Sequence, residues 1–597
     1  MDKIEALLNW AKSNGAAIPS TVNFVQLAPG NIGAEAESSG SVAITVPVKT
    51  IVKLSDALES FDFDAAALVK KTRNINAFAK LFLARERAPE YLHKSFFAAY
   101  IDALPSAQAI NSPYLWLPED QKLLSGSNLG SSLRENLFGL VEEWWSVISL
   151  MPEDAAKPQS HFMNMKFYYE HKFYEPQQLF EYLCDDQHDN WTSFPAYLWA
   201  LMIYKSRSFP CKLLEGSSEV AEINFLQEDV AMLIPVVDLL NHNPKSDVTW
   251  SVKDNSFVFE TSSHAGGQLY NNYGRKGNEE LLLAYGFCLA DNAADSVALK
   301  IKVPLEMLPE LEAKGVVLPK ISDYTTSVVN DATVTEKVGK LSLELYEQYK
   351  DGLVYFINKD VIPESLISVF QWLVRSKWET KLTLRMQLSG LNHLRQAVDS
   401  KAALINVPNA TGSANAEAVA VYLTGQKNIL RAAVTQIKRL ENNLLSEHKP
   451  EVLSLKSVYK KDTRFAQSLL VTMGVTSYND ILEQELMDQI WLVYLIRCFN
   501  KDQYKDEDPS EQYLPDWIHD CFVRMDKETE VSAQDVLQFR EIYENLILPI
   551  NQAVPEIYNV GKWTVRELVV STKLLDTIGF VRGKKQECLL VDDFTER

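Results

Sequence analysis

The sequence predicts an α+β protein in which a β-rich core is split by a long helical insert and followed by an all-helical C-terminal half. Three observations carry this. Val42, Ile44 and Val46 alternate with polar or small residues ahead of Pro47, the period of a strand with one buried face. Val248, Trp250 and Val252 alternate, Asp254-Asn255 supplies turn chemistry, and Phe257, Phe259 and Thr261 alternate again, which reads as a β-hairpin. Beyond residue 303 the period changes: Ile429, Ala433, Ile437, Leu440 and Leu444 recur at steps of three and four, as on a helix with one buried stripe.

Taken in order, the first element is an amphipathic helix with Ile4, Leu7, Leu8 and Ala11 on one face. It carries acids and lacks a continuous apolar stretch, so it is not expected to be a signal peptide. The strand at 42–46 follows. From about 62 to 225 the pattern is mostly helical, as in Leu133 to Ile148 and Phe194 to Ser206. The hairpin comes next, then a strand through Val297, Leu299, Ile301 and Val303, closed by Pro304. In the second half, one helix is expected to start after Gly425 and stop before Pro450, with loops at Asn406 to Glu417 and Lys501 to Gln512. Two domains are therefore expected, 1–303 with its insert and 304–597, with no repeat of fixed period.

The 597 residues contain 59 basic against 79 acidic side chains, a net charge of −20. That balance opposes a grip on nucleic acid, which needs clustered cations, and suits a basic partner better. Six cysteines with no C-x-x-C pair argue for a reducing compartment and against a structural zinc cluster. The clean apolar run Ile490 to Ile496 falls far short of the roughly 18 residues that span a bilayer. A soluble cytoplasmic protein is expected, with no metal and no membrane contact.

Several chemistries are absent. There is no G-x-G-x-x-G, no phosphate loop, no H-E-x-x-H and no G-x-S-x-G. His161 and His171 have no third ligand at helical or strand spacing and are expected to be structural. One dense region remains, from Ser206 to Phe287. It holds Ser206-Arg207-Ser208-Phe209, Asp238 to His242, Tyr270 to Gly274, and Asn278 to Phe287. Singly, each has an ordinary explanation. Asn241-His242 can be a polar turn after a strand, Tyr285 a core aromatic before a helix-ending Gly286, and Asn278 an N-cap with Glu279 and Glu280 in the first turn.

Together and in this order, these motifs resemble the SET domain of protein lysine methyltransferases. More narrowly, the chain is similar to the group related to the Rubisco large-subunit methyltransferase, in which a helical insert splits the SET core and a helical substrate-binding domain follows. Val237 to His242, Asn271 to Leu282 and Asp291 to Pro304 resemble the fungal ribosomal lysine methyltransferases of that group. So do Ser112-Pro113 and Trp116 in the insert, and Ser322 to Thr326 and Gly425-Gln426-Lys427 in the helical half. Those outer motifs carry no chemistry of their own.

The resemblance implies S-adenosylmethionine as methyl donor and a lysine acceptor. By that likeness Tyr285 is the catalytic tyrosine and also contacts the donor. Asn241 binds the amino-acid end of the donor, His242 its adenine through the backbone, and Arg207 its carboxylate. Ser206, Arg207 and Asp238 receive the lysine amine, and Tyr273 walls its channel. Asn31, Ile32 and Gly33 form the N-terminal donor loop, although relatives usually show Gly-x-Gly where this chain reads Pro29-Gly30-Asn31-Ile32-Gly33. A related actin histidine methyltransferase lacks a tyrosine at this place, so Tyr285 favours lysine. The expected partner is a basic large-subunit ribosomal protein, met by a monomeric enzyme without direct nucleic-acid contact. The alternatives are another cytosolic protein, such as cytochrome c or an elongation factor, or a helical interaction protein whose SET core has decayed.

Overall fold

A computed structural model of the protein describes residues 2–28, 31–37, 39–185, 189–215, 217, 230–264, 266–319, 349–376, 379–409, 413–504, 508–582 and 587–592. These fall into two compact units, one built from residues up to 296 with 404–428, the other from 297–319, 349–403 and 429–592.

In the first unit the opening helix Asp2–Ser13 buries Ile4, Leu7 and Ala11. Strands β1 (Val22–Ala28) and β2 (Asn31–Ala36) pair antiparallel, and β3 (Gly40–Pro47) follows. The insert then supplies helices, among them Ala77–Arg87, Asn128–Ile148, Met163–Glu170 and Phe194–Arg207. The last is buried on all sides from Phe194 to Tyr204, and its Tyr197 hydroxyl reaches Glu143, which pairs with Lys80 at 2.5 Å. Such a helix is core, and it delivers Ser206 and Arg207 at its C-terminal end.

After that helix, β4 (Ser208–Pro210) pairs with β5 (Ala231–Leu233). The expected hairpin is β6 (Val248–Lys253) and β7 (Ser256–His264), with Asp254 and Asn255 at φ 48° and 55°. Two left-handed residues make the tight turn whose twist matches the strands, which is why Asp-Asn works there. Strand β3 pairs along β7, so Ile44 meets Phe259 and Val46 meets Phe257, all four fully buried. A short β8 (Gly267–Leu269) completes the sheet β1-β2-β8.

In the second unit, β9 (Val297–Ile301) pairs with β10 (Leu353–Ile357) and ends two residues before the expected Val303. The helical half is not free of strands: besides β10, β11 (Val452–Ser454), β12 (Gly579–Arg582) and β13 (Glu587–Val591) form a small sheet. Three to five residues are too few for alternation to stand out in sequence. The run Ile490 to Ile496 lies in a core helix, Met487–Phe499, whose Arg497 is buried against Asp462. No helix among the described residues is long and apolar enough to cross a membrane.

Two expectations are corrected. The helix expected after Gly425 begins at Ala414 and runs to Glu447, so the loop expected at Asn406 to Glu417 ends within that helix. Gly425 is interior to the helix because a Cβ there would lie 2.6 Å from Asp295 Oδ2, and close packing overrides its weak helix propensity. The segment Lys501 to Gln512 holds short 3-10 turns at Lys501–Tyr504 and Pro509–Glu511. Ser322 to Thr326 lies outside the described residues.

Candidate active site

The apolar run before Asn241 is bent into a tight turn. Val236 sits at φ 73°, ψ −49°, a region that costs a β-branched residue about 1–3 kcal/mol and persists only when packing imposes it. Val236 is fully buried, and the amides of Asp238 and Leu239 close the turn on the carbonyls of Ile234 and Val236. The turn aims Asp238 inward. Its Oδ2 accepts the Tyr100 hydroxyl at 2.7 Å and lies 3.6 Å from Arg207 Nη1, which also donates to the Asp238 carbonyl at 2.9 Å. Its Oδ1 is buried with no hydrogen-bond partner. Desolvation raises the Asp238 pKa, with Arg207 and Tyr100 acting against it. Beside Arg207, the Ser206 hydroxyl donates to Met202 O of its own helix at 2.8 Å.

Four residues further on, the chain meets Asn271. The amide of Asn271 donates to Asn241 O at 2.8 Å and that of Asn243 to Asn271 O at 2.9 Å, so His242 lies opposite Asn271 in a parallel bridge. Neither bond uses the His242 N–H or C=O. The ring is tied by Nδ1, which accepts the Tyr273 amide at 3.0 Å. Burial, then Lys276, push the His242 pKa down to about 4, so the ring is neutral at physiological pH.

The His242 ring stacks on Tyr273 at 4.9 Å, and Tyr273 stacks on Tyr285 at 5.0 Å. Tyr273 also donates its hydroxyl to Leu240 O at 2.8 Å, which fixes the middle of this three-ring stack. Burial pushes the Tyr273 phenol up to about 12 and raises that of Tyr285 further, so both hydroxyls keep their protons.

Tyr285 ends a wide π-type turn, Leu281–Tyr285, stopped by Gly286 at φ 76°. Turns of this kind occur often at functional sites because they re-aim one side chain. Here the insert holds the turn: Ser112 Oγ donates to Leu283 O at 2.7 Å, Asn111 Nδ2 to Gly286 O at 3.0 Å, and Trp116 Nε1 to Asn111 Oδ1 at 2.6 Å. The Ser112-Pro113 and Trp116 motif therefore buttresses the candidate tyrosine. Asn278 is not the N-cap that its position allowed, since Gly277 caps the turn. The buried Asn278 side chain instead bonds the amide and carbonyl of Leu289 and reaches Asp295.

The N-terminal segment reaches the same place. Asn31, Ile32 and Gly33 lie in β2, and Asn241 Nδ2 donates to Asn31 Oδ1 at 3.2 Å. A Cβ on Gly33 would fall 2.6 Å from Leu27 Cδ1, 2.9 Å from Gln268 Nε2 and 3.2 Å from Asn241 Nδ2, so glycine alone fits without displacement. The structure thus brings Asn31 and Gly33 beside Asn241, Tyr285 beside Tyr273 and His242, and Arg207 onto Asp238. Sequence reasoning missed Tyr100, Asn111 and Lys276. The Lys276 ammonium lies 5.9 Å from the centre of the Tyr285 ring and pairs with Glu280. Lys276 lies within a motif already singled out, whereas nothing local marks Tyr100. His161 and His171 are bonded through Nδ1 to Thr192 Oγ1 and Tyr168 O, and no group of three potential metal ligands occurs among the described residues.

The fold is that of the SET-domain proteins: it matches the SET domain of Rubisco LSMT, solved bound to lysine and AdoHcy, with a TM-score of 0.50 at 17% identity, over 81% of this chain and 98% of that one. In sequence, the chain is 31% identical over 568 residues to ribosomal lysine N-methyltransferase 1 of Saccharomyces cerevisiae, covering 91% of this chain and 93% of that protein. It is 25% identical over 611 residues to protein-lysine N-methyltransferase EFM1 of the same organism, covering 98% and 97%. The EFM1 middle domain matches residues 323–448. The chain belongs to this family of SET-domain protein-lysine N-methyltransferases, and it is a lysine methyltransferase.

Proposed function

We propose that the enzyme methylates lysine of a basic large-subunit ribosomal protein in the cytoplasm, using S-adenosylmethionine. The observation that carries the reading is the ring stack ending in Tyr285, with Asn241 and Gly33 close by. The donor's fit is supported by the Gly33 approach, which a Cβ would fill, and by the His242 backbone groups that the bridge leaves unused. When bound, the donor supplies an electrophilic methyl group on a sulfonium.

The chain's own residues then have these tasks. Asn241, His242, Arg207 and the β2 residues Asn31 to Gly33, a strand rather than the expected loop, hold the donor. Asp238, Arg207 and Ser206 receive the lysine, and Tyr273 walls its path. The Tyr285 hydroxyl orients the neutral amine and offers oxygen where positive charge moves, which is electrostatic stabilisation by a fixed dipole. Asp238 offsets the Arg207 charge, so the region presents no uncompensated cation from that pair. Residues 1–303 would act as catalytic domain, with the insert at about 62–225, and 304–597 as substrate-binding domain. The ribosomal substrate is supported by the name of the 31% identical relative and by the net charge of −20.

A titration with S-adenosylmethionine tests the reading: one equivalent should bind. Absence of binding would favour the alternative of a decayed core.

A further inference from the structure

On the insert, the helix Met163–Glu170 and the turn His171–Phe173 that continues it present side chains to two opposite sides. One side is core. Asn164, Phe167 and His171 are buried, and the Phe167 ring stacks on Tyr182 at 4.2 Å and on Phe194 at 5.5 Å. The other side faces outward and is also apolar. Phe162, Met165, Tyr169 and Phe173 are 72%, 57%, 66% and 83% exposed, and their spacing of three and four residues sets them in one stripe. Single exposed apolar residues are ordinary; a contiguous row marks an interaction site.

The stripe is preformed. Tyr168, next to Tyr169, lies flat on Trp145 at 4.4 Å and donates its hydroxyl to Glu142. A partner would therefore not have to order this helix, which keeps the entropic cost of docking low. Beside it opens a cavity of about 1010 Å³, walled in part by Met163, Lys166 and Tyr174.

Charge identifies the partner's chemistry. Between residues 159 and 189 there are six acidic side chains and two basic ones. Glu170, next to Tyr169, and Glu175, two residues past Phe173, are exposed; so are Lys166 and Lys172, which the six acids of the segment outnumber. Exposed aromatic rings next to carboxylates suit Arg and Lys, whose stems lie along the rings while the cation meets ring face and carboxylate. The same acids oppose an anionic lipid surface or a nucleic acid.

We infer that this stripe is a docking surface for the basic protein substrate, apart from the residues that receive its lysine. The inference rests on the methyltransferase reading above. The test is steady-state methylation of proteins extracted from purified large ribosomal subunits, comparing wild type with Tyr169→Ser/Phe173→Ser and with Glu170→Lys/Glu175→Lys. All four positions are exposed, so both variants should fold. KM for the protein substrate should rise about tenfold or more in each, as for loss of an interface anchor. Turnover at saturation and donor affinity should not change. The charge variant's defect should shrink at high salt.

An unchanged KM in both variants would overturn the inference. So would a wild-type dimer in sedimentation that Tyr169→Ser/Phe173→Ser converts to monomer, because the stripe would then be a seam between copies. The two readings fail separately. No transfer by the wild type removes the ribosomal substrate and this docking role together, whereas transfer with unchanged KM removes only the docking role.

Discussion

Replacing Arg207 with Met should expose how much the candidate site depends on one buried charge pair. The Asp238 side chain is fully buried, and Arg207 stands 3.6 Å from its Oδ2. Without that cation the carboxylate would keep only the Tyr100 hydroxyl as a side-chain partner. Removing one member of a buried pair typically costs about 3–5 kcal/mol, unless the remaining group neutralises itself. Asp238 can do so, since burial already raises its pKa and Arg207 is the largest influence lowering it.

The sign of the pH dependence follows. With its pKa higher folded than unfolded, Asp238 holds a proton that the unfolded chain has released, so stability is lost as pH rises from about 3.9 towards the folded value. Arg207→Met should therefore be about 3 kcal/mol less stable than wild type at pH 7.5, with a smaller gap at pH 5. Adding Asp238→Asn should restore much of the loss, because an amide needs no counter-charge. Urea unfolding of wild type, both single variants and the double variant at the two pH values measures all of this as a double-mutant cycle. An equal gap at both pH values, or a double variant no more stable than Arg207→Met, would refute the reasoning.

Four further outcomes are expected. Tyr285→Phe keeps the ring on Tyr273 and removes only the hydroxyl, so turnover should fall about 10²–10³-fold with donor affinity nearly unchanged; turnover within twofold of wild type, roughly 0.4 kcal/mol, removes that role. Gly33→Ala should weaken donor binding about tenfold, some 1.4 kcal/mol, by crowding Gln268 and Asn241; calorimetry showing unchanged affinity contradicts it. Gly286→Ala puts a Cβ 2.0 Å from Asn111 O at a left-handed position, so the thermal midpoint should drop by several degrees, and an unchanged midpoint would disprove the fit. The His242 pKa is lowered to about 4, so the unfolded chain takes up this proton first and stability is lost as pH falls from about 6.5 to 4. His242→Gln should flatten that part of a urea-midpoint series, and an unaltered slope would rule His242 out as its source.

The parts of the fold legible in sequence are those made by local chemistry. The hairpin could be read because Asp254 and Asn255 tolerate the backbone their turn requires, and both flanks alternate. The rings of the stack could be named because Asn241-His242 and Tyr285-Gly286-Phe287 are short motifs. What could not be read lies in contacts between distant segments. Tyr100 reaches Asp238 across 138 residues, and Ser112 reaches Leu283 across 171. In sequence Gly425 reads as a helix boundary, while its reason within the long helix is the approach of Asp295. Likewise Asn278 looks like a cap in sequence, and only its buried bonds to Leu289 and Asp295 reveal a hub.

The most direct measurement is intact-mass analysis of large-subunit ribosomal proteins, taken from cells lacking the enzyme and incubated with purified enzyme and labelled donor, with Tyr285→Phe in parallel. Mass gain in steps of one transferred methyl group is expected on one protein, absent with the variant on the same timescale. Donor binding without gain on any ribosomal protein would contradict the proposed substrate, and equal gain with Tyr285→Phe would contradict the proposed chemistry.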